Sequence, residues 1–179
     1  ITNRLNLKHS MSLFVLYFAT KKIYTSVKHH TIIFSKRHQE LLNDIFNKKV
    51  FITDPSLYLH RPSATDKSMI QNNNDTFYVL APVPNNLSNI NWENRGKEFS
   101  SIIISILEEK IMPELSSNIV NKFFVTPNYF ENDLNTYAGS GFGIQPVFTQ
   151  SAYFRYGNKC HSSDGLYFVG ASTHPGAGV

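Results

Sequence analysis

The chain has 179 residues, of which 41% are hydrophobic and 17% charged, and its formal net charge is +4. This composition excludes an intrinsically disordered chain, and the length suffices for a domain with a sizeable core. Its longest apolar runs are shorter than the roughly 20 residues that a transmembrane helix requires, so no membrane-spanning helix is predicted.

The positive charge is concentrated in one part of the chain. Residues 1–67 carry 11 Lys and Arg against 4 Asp and Glu, whereas residues 68–179 carry 6 against 9. A basic surface of this kind suits anionic lipid or nucleic acid. A coding bias toward AT-rich codons, which would also explain the many Asn, Ile and Lys residues, is the alternative. The single cysteine, Cys160, excludes an internal disulfide and indicates a reducing compartment.

Four strands and one short helix are predicted in the first half. Apolar, β-branched and aromatic runs indicate strands over residues 12–19, 30–34, 56–60 and 76–81. Pro82 is expected to end the fourth strand, since proline cannot donate to a ladder. The helix is predicted over residues 37–47, with one apolar face formed by Leu41, Leu42, Ile45 and Phe46.

The second half is predicted to contain the longest helix, over residues 92–115, because apolar residues recur there with a period of 3.6. Pro113 should kink or end it. A strand over 122–126, a short helix within 127–136, a glycine-rich loop over 138–144 and a final strand over 166–170 follow. This order predicts an α+β fold with a mostly antiparallel sheet and packed helices. The final strand is apolar throughout, which is typical of a strand buried on both faces of a parallel sheet.

Two glycine-rich segments are candidates for ligand contact. In residues 171–179, small residues let the backbone approach a ligand closely, and a helix after Gly176 and Gly178 would direct its first amides at an anion such as a pyrophosphate. The spacing is not that of G-x-G-x-x-G, so a structural turn without a ligand is an equal alternative. Gly139, Gly141 and Gly143 are interpreted as a flexible or closely packed loop.

No metal or catalytic constellation is predicted from residue spacing. His29 and His30 are adjacent and would point to opposite faces of a strand, and His60 has no partner at ligand spacing. Cys160 and His161 are unsuited as a nucleophile and base, because adjacent side chains rarely face each other. The residues alone therefore predict no metal site, leave the catalytic residues unknown and name no function.

Six segments taken together carry more information than any one of them. They are MSLFVLYF (11–18), HHTIIFS (29–35), DPSLYLHRPSATDKSM (54–69), FYVLAPVPN (77–85), TPNYFENDLNTYAGSGFGIQPVFTQSAYFR (126–155) and LYFVGASTHPGAGV (166–179). In this order they resemble the C-terminal half of bacterial and fungal phytoene desaturases. The resemblance covers nearly the whole chain, and FYVLAPVP, FTQSAYFR and THPGAG are its most specific motifs.

The resemblance implies an FAD-dependent oxidoreductase, similar in fold to amine oxidases, that desaturates phytoene stepwise to conjugated carotenes such as neurosporene or lycopene. It implies a partial substrate and membrane-associated domain over residues 1–162. Residues 163–179 would be the last strand and glycine-rich turn of a truncated Rossmann-like FAD-binding domain. The motif positions that would contact FAD are Gly170, Ala171, Thr173, His174, Pro175, Gly176, Ala177 and Gly178.

The expected partners are the carotenoid substrate and membrane lipid, without nucleic acid, for a cytoplasmic enzyme associated peripherally with the cytoplasmic membrane; the oligomeric state stays open. Ser172 departs from the glycine usual in the motif, and the sequence contains no G-x-G-x-x-G for the ADP half of FAD. This polypeptide alone is therefore expected neither to bind FAD tightly nor to desaturate phytoene. The alternatives are another carotenoid-modifying flavin oxidoreductase (ketolase, oxygenase or saturase) and a non-catalytic basic module that binds membrane surfaces.

Overall fold

The computed structural model describes residues 7–178, and its centre is one sheet with a long helix against one face. The strands are β1 (Ser12–Thr20), β2 (His30–Ile33), β3 (Leu57–His60), β4 (Asp75–Val83) and β5 (Ile119–Val125). The α-helices are α1 (His38–Asn43), α2 (Trp92–Lys110), α3 (Leu115–Asn118) and α4 (Pro127–Asn132). Residues 1–6 and Val179, which belong to the two predicted domains, lie outside the described residues.

The sheet confirms the predicted α+β class. Its strand order is β2-β3-β4-β1-β5, and each neighbouring pair is antiparallel. The prediction that Pro82 ends β4 is wrong, because the strand continues to Val83. Pairing of β3 with β4 stops at Leu80. Proline is therefore tolerated at position 82, because no β3 residue lies opposite it that would need a backbone N–H donor.

The core lies between the sheet and α2. Along β1 the side chains of Phe14, Leu16 and Phe18 are buried, and the ring of Phe14 meets that of Phe99 of α2 edge-on at 4.9 Å. The helix begins where the Asn91 side chain accepts a hydrogen bond from the Asn94 amide at 3.2 Å. Among residues 7–178, no helix combines the length and apolarity needed to span a lipid bilayer.

Two local predictions differ from the structure. The predicted helix over 37–47 is α1 followed by a π-helix, Asp44–Lys48. Leu41 and Ile45 are buried, but Leu42 is 43% exposed and so lies off the apolar face. Residues 166–170 do not form the predicted buried strand: Tyr167 makes only an isolated bridge with Lys159, and the whole stretch is exposed. A strand buried on both faces needs neighbours on each side, whereas among the described residues this stretch pairs only with residues 158–160.

A buried ion pair fixes the turn after β3 to the start of β4. The guanidinium of Arg61 donates through Nε to Asp75 Oδ2 at 2.8 Å and through Nη1 to the Val27 carbonyl at 3.0 Å. The side chains of Arg61 and Asp75 are 2% and 0% exposed. The hydroxyl of Ser63 donates to the second carboxylate oxygen of Asp75. Both charges are thus neutralised and hydrogen-bonded, as burial of an ion pair requires.

Asp75→Ala should destabilise the chain by about 3–5 kcal/mol, because the buried guanidinium of Arg61 loses its counter-charge. Urea unfolding followed by fluorescence of Trp92, the single tryptophan, measures the free energy of unfolding. Glu98→Ala is the matched control, since its ion pair with Arg95 is exposed and such pairs contribute less than about 1 kcal/mol. Equal losses in the two variants would contradict the structural role of the buried pair.

Candidate functional site

The glycine-rich segment at residues 170–178 has a backbone that depends on glycine. Gly170, Gly176 and Gly178 have φ of 129°, 124° and 86°, values that a residue with a β-carbon rarely adopts. The His174 amide donates to the Tyr156 carbonyl at 2.8 Å, and the peptide bond between His174 and Pro175 is cis. The segment therefore has a defined path beside residues 155–160.

Arg155 holds this segment in place. It follows the 3₁₀ turn Ala152–Phe154 and is buried. Its guanidinium donates through Nε to the Thr173 carbonyl at 3.0 Å, and through Nη2 to the Ala171 carbonyl. Nη1 donates to the Gln150 carbonyl at 3.4 Å. One cation thus joins the FTQSAYFR motif to the glycine-rich segment. The sequence did not predict this role, because it showed Arg155 only as the last residue of that motif.

The two glycine-rich segments, which were interpreted separately, lie against each other. A β-carbon on Gly143 would collide with the Ser172 hydroxyl, and one on Gly141 would lie 2.8 Å from Leu13 Cγ. The Gly143 carbonyl also accepts a hydrogen bond from the Ser10 amide at 2.9 Å. The closely packed interpretation of the loop at 138–144 is therefore confirmed, and the loop anchors the glycine-rich segment to the start of β1.

An apolar cavity of about 610 Å³ opens beside the segment. Of the eight positions predicted to contact FAD, four line it: Pro175, Gly176, Ala177 and Gly178. Thr173 and His174 line a second cavity, of about 990 Å³, while Gly170 and Ala171 are not among the lining residues of either. Arg155 lines both cavities. Apolar walls with one cation suit a ligand that has a flat apolar body and hydrogen-bond acceptors at its edge.

Gly176 forms part of the cavity wall next to Arg155. A β-carbon at Gly176 would lie 3.3 Å from Arg155 Cζ, so glycine lets the segment pack closely against the guanidinium. The phosphates of a dinucleotide require a glycine-rich turn that leads into a helix. None of the α-helices within residues 7–178 begins at such a turn. Within residues 7–178 the cavity therefore offers apolar walls and one cation, and no phosphate site at a helix start accompanies it.

The sheet face opposite α2 carries a continuous row of aromatic rings. Direct register partners from the five strands form it, namely Phe123, Tyr17, Tyr78, His60 and His30. The ring centroids of Phe123 and Tyr17 are 4.7 Å apart, and those of Tyr78 and His60 are 4.6 Å apart. We call this the aromatic row. Its Phe and Tyr rings can contact a hydrocarbon without hydrogen bonds, and its β2 end consists of two imidazoles.

At its β2 end the aromatic row meets a third histidine, which contradicts the sequence-based expectation about these residues. His29 lies before β2, where strand alternation does not apply, and its Nε2 is 2.8 Å from Nε2 of His60. Burial, with the neighbouring charges of His29 and His30, lowers the pKa of His60. The expectation that His29 and His30 point to opposite faces and that His60 lacks a partner is therefore wrong. The β2–β3 register brings His30 to His60, and His29, which precedes β2, turns toward both.

No protein-family model matches the chain. The chain is 44% identical over 171 residues to a lycopene-forming phytoene desaturase of Paracoccus sp. (strain N81106), covering 95% of this chain and 34% of that protein. It is 43% identical over 180 residues to the lycopene-forming phytoene desaturase of Pantoea ananas, covering 99% and 37%. A neurosporene-forming phytoene desaturase of Rhodobacter capsulatus is 42% identical over 175 residues, covering 95% and 33%.

The chain thus spans about a third of the length of the curated relatives it matches. Over nearly all of its own length it is similar to phytoene desaturases, which confirms the resemblance seen in its motifs.

Gly176→Ala should loosen the glycine-rich segment by about 1–3 kcal/mol, because a β-carbon is strained at this φ and crowds Arg155. Hydrogen exchange of the His174 amide, measured by NMR, should become about tenfold faster or more. Gly157→Ala is the control, since no neighbouring atom lies within 4 Å of its β-carbon position. The same exchange rate in both variants would refute the packing role of Gly176.

Proposed function

Starting from its similarity to phytoene desaturases, we propose that this chain is part of an FAD-dependent enzyme that desaturates phytoene to conjugated carotenes. The observation that carries the proposal is the similarity over 95% or more of the chain to lycopene-forming and neurosporene-forming phytoene desaturases. The reaction class is oxidation of a CH–CH bond to a double bond. A carotene ketolase, oxygenase or saturase would differ in its product, which chromatography of the pigments distinguishes.

We propose that the chain contributes the residues beside the flavin ring. FAD, when bound, supplies the redox chemistry by accepting the hydrogen removed from the substrate. The eight motif positions from Gly170 to Gly178 would lie on the FAD side, with Pro175, Gly176, Ala177 and Gly178 as the cavity wall. Arg155 would hold the carbonyls of Ala171 and Thr173. The apolar lining of the 610 Å³ cavity, with Arg155 as its one charged residue, supports this assignment. A cation at the cavity wall also suits the acceptor edge of the ring.

We further propose that residues 163–179 belong to a Rossmann-like FAD-binding domain in the longer protein. Val169 is 90% exposed, although the segment 166–170 is apolar throughout. Exposed runs of this kind mark contact surfaces. Pairing with strands of an FAD-binding domain would bury the run and satisfy its backbone, since a buried strand needs ladder partners on both sides.

The aromatic row supports a hydrocarbon substrate. Phytoene offers no group that can accept or donate a hydrogen bond, so its site must consist of apolar and aromatic surface. Tyr17, Tyr78 and Phe123 provide such a surface across the middle of the sheet, and Phe123 is 59% exposed. We propose that the substrate chain lies along this face, with membrane lipid as its source.

We propose that peripheral attachment to the cytoplasmic membrane gives the enzyme access to this substrate. Exposed aromatic rings suit such an interface, and the side chain of Tyr153 is 93% exposed.

A chimera tests the activity. The Paracoccus desaturase, with its matching segment replaced by this chain, should bind FAD and form coloured carotenes in a phytoene-accumulating host. Absorbance of the purified chimera measures the flavin, and chromatography of the pigments identifies the product. A soluble chimera without flavin would contradict the cofactor assignment, whereas a flavin-loaded chimera that leaves phytoene unchanged would contradict the substrate. The unmodified Paracoccus enzyme is the positive control.

Phe123→Glu in the same chimera should lower carotene formation at least about tenfold, equivalent to about 1.4 kcal/mol, because a carboxylate disfavours contact with a hydrocarbon. Phe123 is exposed in this chain, so the substitution should leave the fold intact. Leu87→Glu is the matched control, since Leu87 is similarly exposed but lies in the loop between β4 and α2. Similar activity in the two variants, with flavin retained, would exclude the aromatic row as the substrate surface.

A further inference from the structure

Three imidazole rings converge at the β2 end of the aromatic row. One ring nitrogen from each of His29, His30 and His60 lies within 4.8 Å of the other two. The ring centroid of His29 lies 4.3 Å from that of His30 and 4.6 Å from that of His60, and the centroids of His30 and His60 are 5.3 Å apart. We call these residues the histidine cluster. Its members are half-buried or exposed, so an ion can reach them from solvent.

The backbone holds the cluster together independently of the rings. His30 and His60 are direct cross-strand partners in the ladder of β2 and β3. The carbonyl of His29 accepts a hydrogen bond from the amide of Arg61 at 2.9 Å. Arg61 is in turn locked by its buried ion pair with Asp75. The three Cα positions are therefore set by the sheet and by a buried charge pair, so the site does not depend on a mobile loop.

Hydrogen bonds at Nδ1 also orient two of the three rings, whereas Nδ1 of His60 is buried without a partner. Nδ1 of His29 is 2.6 Å from the Thr65 hydroxyl, and Nδ1 of His30 is 2.7 Å from the hydroxyl of Tyr58. Histidines that bind metals usually have their second nitrogen fixed in this way. Nε2 of His29 and Nε2 of His60 face each other at 2.8 Å, where neutral imidazoles must share one proton. A cation that accepts both lone pairs would replace that proton.

We propose that the histidine cluster binds one divalent transition-metal ion, for which Zn²⁺ is the probe. Three imidazoles without a carboxylate favour Zn²⁺, Ni²⁺ or Cu²⁺ over Mg²⁺ and Ca²⁺, which prefer oxygen ligands. With Zn–N bonds of about 2.0–2.1 Å, tetrahedral ligand nitrogens lie about 3.3 Å apart. The cluster reaches this spacing by small ring rotations, and the fourth position remains open to water. The site is independent of the flavin assignment.

The expected consequence is a link across the edge of the sheet. A bound ion would join β2, β3 and the residue before β2, and a ligand that binds only the folded state raises its stability. The melting temperature of the chain should therefore rise with Zn²⁺ concentration. His60→Gln should abolish this rise while leaving the melting temperature without metal nearly unchanged, because glutamine keeps a polar side chain of similar length at this position.

The decisive experiment is a titration of the purified chain with Zn²⁺ against a chromophoric chelator, with His30→Gln and His60→Gln as test variants. One ion should bind per chain, and each variant should lose about 100-fold or more in affinity, since even partners outside the ligand shell contribute about 10–100-fold. His38→Gln, which alters a histidine at the start of α1 outside the cluster, is the matched control.

Two results would overturn the proposal. One is a Zn²⁺ affinity of the wild-type chain that is no higher than that of a variant in which His29, His30 and His60 are all replaced by glutamine. The other is an equal loss of affinity in His38→Gln, which would indicate unspecific chelation by surface histidines. If His60→Gln does not fold, judged by circular dichroism, His30→Gln decides alone, because His30 is exposed and its loss leaves the core intact. The X-ray absorption spectrum of the Zn²⁺-loaded chain should show three imidazole ligands.

Discussion

The nine-residue ladder between β1 and β4 is the constraint on which the rest of the structure depends. It pairs Ser12 through Thr20 with Val83 through Asp75 without a break, and side chains along each strand alternate between two faces. One set, which includes Phe14 and Leu16, forms the core against α2. The other, which includes Tyr17 and Tyr78, forms the middle of the aromatic row. The core and the proposed substrate face are thus set by one register, and a slip of one residue would exchange them.

A second set of contacts joins this sheet to the glycine-rich segment. The loop at 138–144 is anchored to the residues before β1 and touches Ser172 through Gly143. Arg155 then orders the carbonyls on the far side of the segment. The proposed flavin wall and the proposed substrate face are therefore parts of one packed body, even though the segment contributes little to the core. Such coupling suits an enzyme whose cofactor must meet a hydrocarbon at a fixed position.

The sequence predicted the elements that depend on local pattern. Alternating or continuous apolar runs located the five strands, and the 3.6 period located α2, because these signals require no knowledge of the partner. What failed depends on partners distant in the chain. The aromatic row and the histidine cluster arise from strand register, and the role of Arg155 arises from carbonyls 16 and 18 residues away. The apolar segment 166–170 has the composition of a buried strand, but it is exposed because burial also requires neighbouring strands.

Strand β5, one of the two outer strands of the sheet, has a further consequence for handling the chain. Within the described residues β5 pairs only with β1, so its other side presents unpaired backbone groups along IVNKFFV. Edges of this kind can recruit a second molecule and lead to aggregation. Lys122 interrupts the apolar run at its centre, where a charged side chain discourages such strand-to-strand association. Acylation of Lys122 would remove this charge from the centre of the strand and favour such association.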